Sequence, residues 1–81
     1  MKVITQNHKL SIKNELDKIL SNEEYSLVVY FTDIFKINVR NRTSLHFETL
    51  QTIEKVLDIT SIGYDKDMNS MYIFAQLKNG A

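Results

Sequence analysis

Two segments, residues 27–31 and 71–75, are apolar at nearly every position, and they constrain the fold more than any other feature of the chain. Successive side chains of a β-strand point to opposite faces of its sheet, so a strand covered on one face alternates apolar with polar residues. These two segments do not alternate, which predicts strands whose two faces both need cover. The rest of the chain shows only two helical patterns, which we expect to cover one face. The other face is then left for a partner.

Apolar residues at helical spacing predict two amphipathic helices. We expect Ser11 to cap the first helix and Ser44 to cap the second, because their hydroxyl groups can accept hydrogen bonds from free amides of the first turn. The first apolar stripe is Ile12, Leu16, Ile19 and Leu20. The second is His46, Leu50, Ile53 and Leu57, widened by Phe47 and Val56.

Four strands are predicted, at residues 25–32, 35–40, 60–64 and 71–78, from β-branched and aromatic content and from period-two alternation. The turn between the first two is poorly marked, since only Asp33 offers turn chemistry, and a single long bent strand is the alternative. The predicted fold is one α+β domain over residues 1–81, in the order α-β-β-α-β-β, with one sheet packed by two helices. If residues 2–5 form a leading strand, the alternative is a ferredoxin-like β-α-β-β-α-β arrangement with an extra C-terminal strand.

Composition excludes several classes of function. The ten basic and ten acidic residues cancel, so no overall field draws the chain onto a polyanion. There is no Cys for disulfides or thiolate metal sites, and with only two Gly a glycine-rich phosphate loop cannot be built. No apolar stretch approaches the roughly 20 residues of a membrane span, and the start lacks the apolar core of a secretory signal. We therefore expect a cytoplasmic protein without a membrane partner.

Residues that could support catalysis or bind metal are sparse. His8 and His46 are the only histidines, and neither has a second His at metal-pair spacing. Residues 65–69 place oxygen donors at alternate positions, as a calcium loop does, but Ser70 and Gln76 stand where that loop needs Gly and Glu. We predict a protein that is not an enzyme and has no catalytic residue, no metal site and no cofactor.

The candidate protein interface is the side of the two apolar strands that the helices leave open. If the helices cover Leu27, Val29 and the odd-numbered residues of the last strand, the opposite side exposes Val28, Tyr30, Tyr72 and Phe74. Aromatic side chains are concentrated in interface cores, and a patch of four large apolar residues is unusual for a monomer. The alternative is that a terminal segment, or helices divided between the faces, covers this side within one chain.

A candidate nucleic-acid patch lies on the second predicted strand. Lys36, Asn38 and Arg40 share one strand face and Arg42 follows. Basic residues beside an aromatic on a sheet surface are what single-stranded nucleic acids bind. The alternative is a solvated strand face whose charges discourage edge-to-edge aggregation.

These features favour a non-catalytic protein-binding or regulatory module that pairs with itself as a homodimer, with a partner protein, or with both. Abundant Ile, Asn and Lys beside only two Arg suggest an AT-rich genome, so an inhibitor or regulator encoded by a phage or mobile element fits. The alternative function is a small nucleic-acid-binding accessory protein that uses the basic strand face.

Overall fold

The computed structural model describes residues 3–42 and 44–78 and confirms the α+β class. The helices are α1 (Gln6–Ile19) and α2 (Phe47–Glu54), and the strands are β1 (Tyr25–Tyr30), β2 (Ile34–Arg40), β3 (Leu57–Asp65) and β4 (Ser70–Leu77). The strands form one sheet in the order β1-β2-β4-β3, and every neighbouring pair is antiparallel. Two hairpins, each preceded by a helix, therefore meet along the central β2–β4 pair.

Helix α1 begins earlier than its predicted cap. Thr5 is the N-cap: its hydroxyl accepts a hydrogen bond from the His8 amide at 3.2 Å, and His8 Nδ1 accepts one from the Thr5 amide at 3.1 Å. This reciprocal pair is a capping box in which His takes the usual place of Glu or Gln. The prediction of Ser11 as the cap is wrong, because Ser11 lies inside α1.

Helix α2 is shorter than predicted and begins at Phe47, with His46 rather than Ser44 at the N-cap position. The predicted apolar stripe is therefore partly wrong: His46 is exposed and Phe47 is 72% exposed. Ile53 is fully buried, and Leu57 is buried too, although it already belongs to β3. A helix of 8 residues covers little more than one end of the neighbouring strand.

The first hairpin turns through residues 31–33, so the alternative of one long bent strand is wrong. Phe31 adopts a φ of 60°, a left-handed conformation that is uncommon for a bulky residue. In the second hairpin, β3 begins at Leu57 and carries a β-bulge between Ile59 and Ser61. A bulge bends an edge strand and interrupts its regular pairing.

Both helices pack on one face of the sheet, which we call the covered face. The core contains residues of both helices, the α1 C-cap Leu20, and alternate strand residues that point toward the helices. Its members are Ile12, Leu16, Leu20, Phe35, Ile37, Val39, Ile53, Leu57, Met71, Ile73 and Ala75. The opposite side, which carries the even-numbered residues of β1, β2 and β4, we call the open face.

Of the predicted leading strand, residues 3–5 form no strand and residue 2 lies outside the described part of the chain, so the ferredoxin-like alternative lacks support for its first strand.

Candidate functional site: the open face of the sheet

The four predicted interface residues lie together on the open face. Val28 and Tyr30 of β1 are each 45% exposed, and Tyr72 and Phe74 of β4 are partly buried. Strand β2 runs between them and brings Lys36 into register with Val28 on one side and with Phe74 on the other. Cross-strand partners point to the same face, so the candidate interface and Lys36 of the candidate basic patch form one surface.

Three rings on this face touch edge to face, and we call them the aromatic cluster: Tyr30, Tyr72 and Phe74. The Phe74 ring centroid lies 5.8 Å from that of Tyr30, at an interplanar angle of 61°. It lies 5.4 Å from that of Tyr72, at 70°. Edge-to-face pairs at such distances stabilise by about 0.5–1.5 kcal/mol each beyond the area they bury. The rings therefore hold one another in place without a covering layer.

The ammonium group of Lys36 lies within the aromatic cluster. Its Nζ is 5.9 Å from the ring centroid of Tyr30, 5.4 Å from that of Tyr72 and 5.8 Å from that of Phe74. Within residues 3–42 and 44–78, no carboxylate forms an ion pair with Lys36. The negative faces of aromatic rings attract a cation by about 0.5–1 kcal/mol at exposed sites. A fixed positive charge thus sits at the centre of an apolar patch.

Gly63 of β3 makes room for the cluster. It pairs with Tyr72, and a Cβ atom built on Gly63 would lie 2.3 Å from Cζ of that ring. Tyr72 therefore lies over the glycine backbone, an arrangement in which an aromatic side chain covers a glycine of a neighbouring strand. The absence of a side chain at Gly63 sets the position of one ring of the cluster.

The predicted basic patch divides in two. Asn38 and Arg40 extend along β2 on the open face beside Lys36, and they line a shallow groove that also contains Glu24 and Asp65. Acidic side chains thus border Arg40 from the β1 and β3 sides of the sheet. Arg42 does not join them.

Arg42 instead binds Glu23. Its Nε donates to Oε1 of Glu23 at 2.8 Å, and its Nη2 donates to Oε2 at 2.7 Å. The guanidinium group holds the pKa of the Glu23 carboxyl below its ordinary value. This pair lines a recess of about 110 Å³ that also contains Ser44 and His46.

The recess gathers a hydroxyl, an imidazole and a carboxylate, the residue types of a nucleophilic triad. In a triad the carboxylate orients the imidazole and the imidazole activates the hydroxyl. Here the Glu23 carboxylate is engaged by Arg42, and no hydrogen bond links His46 to Ser44 or to Glu23. The described residues of the recess therefore build an ion pair rather than an activated nucleophile.

A second polar group joins α1 to β1. The Tyr25 hydroxyl donates to Asp17, and Lys13 Nζ lies 3.1 Å from the same carboxylate oxygen. The hydrogen bond from Tyr25, with that from Lys13, lowers the pKa of Asp17, and burial raises the pKa of Tyr25. The three groups satisfy one another, and we assign them the role of fixing the helix on the edge strand.

One exposed apolar pair was not singled out by sequence reasoning. Ile62 pairs with the buried Ile73, so it points to the covered face, yet it is 48% exposed, and Tyr64 two residues later is 43% exposed. The shortness of α2 leaves this end of β3 bare. The sequence gives no signal for it, because the apolar spacing of α2 continues unbroken through Leu57.

The resemblance of residues 65–69 to a calcium loop reflects turn geometry. Asp65 Oδ1 accepts hydrogen bonds from the amides of Asp67 and Met68 at 3.0 and 3.2 Å. Such a side-chain-to-backbone arrangement is typical of an Asx turn. In the described part of the chain, no three His, Asp or Glu side chains come together as potential metal ligands.

Among the residues that the structure describes, no helix is long and apolar enough to cross a membrane. Comparison of the chain with protein-family models, with curated proteins and with solved structures found no match.

Proposed function

We propose that this chain is a non-catalytic module that regulates a partner protein by docking it on the open face of the sheet. The observation that carries the proposal is the position of the aromatic cluster on the one sheet face that the described helices do not cover. A module that binds without chemistry acts by occupying a surface of its partner, and this is how an inhibitor or a regulator works.

The energetic reason for docking lies in the surface that remains exposed. Full burial of one large apolar side chain stabilises by roughly 1.5–3 kcal/mol. Val28 and Tyr30 are each 45% exposed, so about half of that gain is still available at each of them. Aromatic residues at the centre of a patch are also the type that dominates measured binding energies. A partner that covers β1, β2 and β4 gains most of this energy.

One possible partner is a second copy of the chain bound through the same face, and purified protein tests this homodimer directly. Four strands spaced about 4.8 Å apart, each rising about 3.3 Å per residue, give a face roughly 20 Å on a side. A face of that size covers about 400 Å², whereas a stable interface buries about 800 Å² per partner, so a second copy needs the whole face, its polar end and contacts beyond its edges. Light scattering behind size-exclusion chromatography, at several concentrations, measures whether Phe74→Glu lowers the mass while Phe47→Glu, on the helix side, does not.

The test of the proposed function uses the chain at its natural level in the cells that make it. Proteins that co-purify with the tagged wild type are quantified by mass spectrometry beside those recovered with Tyr30→Glu, Phe74→Glu and Phe47→Glu. We expect a partner, or a second copy, to be lost with both open-face variants and kept with the control. Equal recovery with all three variants, each checked for folding by circular dichroism, would contradict the proposal.

The second candidate function is binding of single-stranded nucleic acid. It is favoured by the presence of Lys36, Asn38 and Arg40 on the same face as the aromatic cluster. It is disfavoured by Glu24 and Asp65, which border Arg40 and repel phosphates. Fluorescence anisotropy of a labelled oligothymidylate tests it. Affinity that falls steeply with salt, and falls again in the Lys36→Ala, Arg40→Ala double variant, would favour this function over protein docking.

A further inference from the structure

We infer that the occupant of the open face is an extended protein segment with one acidic side chain between two apolar ones, and that its carboxylate binds Lys36. The inference rests on the proposed function and specifies the chemistry of the partner. It follows from the position of a single cation inside the aromatic cluster.

Lys36 is the reason why an entirely apolar partner fits poorly. Its side chain is already partly buried among three rings, and it has no carboxylate partner in the described part of the chain. A flat apolar partner would remove water from this ammonium group and leave it unpaired, which is strongly unfavourable. A carboxylate brought by the partner replaces that water with a charge-assisted hydrogen bond in a dehydrated site.

The charge pattern around Lys36 favours one carboxylate over a chain of phosphates. Only Lys36 and Arg40 are basic along β2, and Arg40 is bordered by Glu24 and Asp65 in the same groove. Lys36 lines this groove too, but its ammonium group lies among the three rings, so a single acidic side chain needs to enter only at the aromatic cluster. A nucleic acid places a phosphate at every nucleotide and meets both acids. The rings of the cluster also lie at 61° and 70° to their neighbours, so they do not form parallel platforms for successive bases.

The distance from Val28 to Tyr72, on opposite sides of β2, gives the spacing of the two apolar residues in the bound segment. Val28 and Phe74 lie in register on either side of Lys36, and Tyr72 lies one two-residue step along β4. Val28 and Tyr72 are therefore about 10 Å apart across the strands and about 7 Å apart along them, or about 12 Å in all. In an extended segment, residues four positions apart are separated by about 13 Å and point to the same side. The matching pattern is apolar, any residue, acidic, any residue, apolar.

The experiment is a selection from a display library of random twelve-residue peptides on the immobilised full chain. Four proteins are used in parallel: wild type, Lys36→Met, Lys36→Arg and Lys55→Met. Methionine keeps most of the length of the side chain and removes its charge, and arginine keeps the charge. Lys55 lies at the end of α2 in the helix layer. Urea denaturation verifies that each variant is folded.

We expect peptides with the alternating apolar–acidic–apolar pattern to be enriched on wild type, Lys36→Arg and Lys55→Met, and not on Lys36→Met. For a synthetic peptide from the selection, Lys36→Met or replacement of its acidic residue by the amide should each weaken binding at least tenfold. The two changes together should weaken it little further, because they remove the same contact.

Three results would overturn the inference. The first is enrichment of apolar peptides that contain no acidic residue. If these peptides fail to bind Phe74→Glu, tested as an additional protein, the proposed function stays intact. The second is enrichment that is equal on wild type and Lys36→Met. The third is that no peptide is enriched, while the chain either binds the oligothymidylate tightly or forms a dimer that Lys36→Met leaves unchanged. Docking itself is tested separately, by the co-purification experiment with Tyr30→Glu. A failure of the proposed function can therefore be told apart from a failure of this inference.

Discussion

Replacement of Gly63 by alanine tests the geometry of the open face in a single atom. Glycine weakens a strand by roughly 0.5–1 kcal/mol relative to alanine, so Gly63→Ala should ordinarily stabilise the protein. The backbone of Gly63 is not left-handed, so no conformational strain opposes the change. The added Cβ would, however, lie 2.3 Å from Cζ and 2.4 Å from the hydroxyl oxygen of Tyr72, and the ring must move.

Displacement of the Tyr72 ring removes two sets of contacts. The edge-to-face pair with Phe74 contributes about 0.5–1.5 kcal/mol. The attraction of the ring for Lys36 contributes about 0.5–1 kcal/mol. Against the gain in strand propensity, the net result is a destabilisation of about 1 kcal/mol, or a fall in Tm of about 4–8 °C for a domain of this size.

A double-mutant cycle separates the two terms. Urea denaturation followed by circular dichroism gives the free energy of unfolding of wild type, Gly63→Ala, Tyr72→Ala and the double variant. With Tyr72 truncated, the alanine has space, and Gly63→Ala should then stabilise by about 0.5–1 kcal/mol. The change in sign between the two backgrounds is the expected result. Stabilisation of equal size in both backgrounds would refute the placement of the Tyr72 ring over Gly63.

Three further predictions concern other parts of the fold. Ile73→Ala should lower the free energy of unfolding by about 2–5 kcal/mol in urea denaturation, because Ile73 is fully buried, whereas Phe74→Ala on the open face should cost only about 1–2 kcal/mol. Comparable losses for the two would contradict the one-sided packing of the helices. Thr5→Ala should destabilise α1 by about 1 kcal/mol, measured by circular dichroism, and an unchanged Tm would argue against the capping box. Arg42 lowers the pKa of Glu23, so their pair stabilises the fold above the ordinary pKa of the carboxyl, and this contribution is lost as the pH falls through the lowered value. Arg42→Gln should therefore narrow the difference in stability between pH 7 and pH 2.5, and an unchanged difference would show that the pair does not contribute.

Side-chain periodicity located the four strands and the buried stripe of the first helix, though not the start of that helix or of β3, because periodicity reports directly on burial. The stripe formed by Ile12, Leu16 and Leu20 is buried, and residues 35–39 alternate between the core and the open face as expected. Periodicity also separated the open-face aromatics from the core. Their contacts with Lys36 depend on the register of β1, β2 and β4, which no local pattern fixes.

Helix ends and turns were predicted less well, for local physical reasons. The cap of α1 uses His8 in place of the expected acidic or amide residue, so Thr5 carried no familiar signal. The first hairpin turns with Phe31 in a left-handed conformation that sequences usually mark with Gly or Asn. The stripe assigned to α2 continued through Leu57, because the apolar spacing runs unbroken from the helix into β3.

The separation of Arg42 from Lys36 and Arg40 could not be predicted from spacing alone. Strand β2 ends at Arg40, so the strict alternation of faces ends there as well. Beyond it, Arg42 is held by Glu23, a residue 19 positions earlier in the chain. Such a contact requires the tertiary structure, whereas the shared face of Lys36, Asn38 and Arg40 requires only a strand.

Site-specific photo-crosslinking in the cells that make the chain tests docking on the open face most directly. A photoreactive phenylalanine analogue replaces Tyr30 on the open face or Phe47 on the helix side, two exposed aromatic positions. We expect irradiation to give a discrete protein adduct from position 30 and none from position 47. An adduct of twice the 9.5 kDa chain mass would identify a second copy, and any other protein mass a foreign partner. No adduct from position 30, or equal adducts from both positions, would contradict the account.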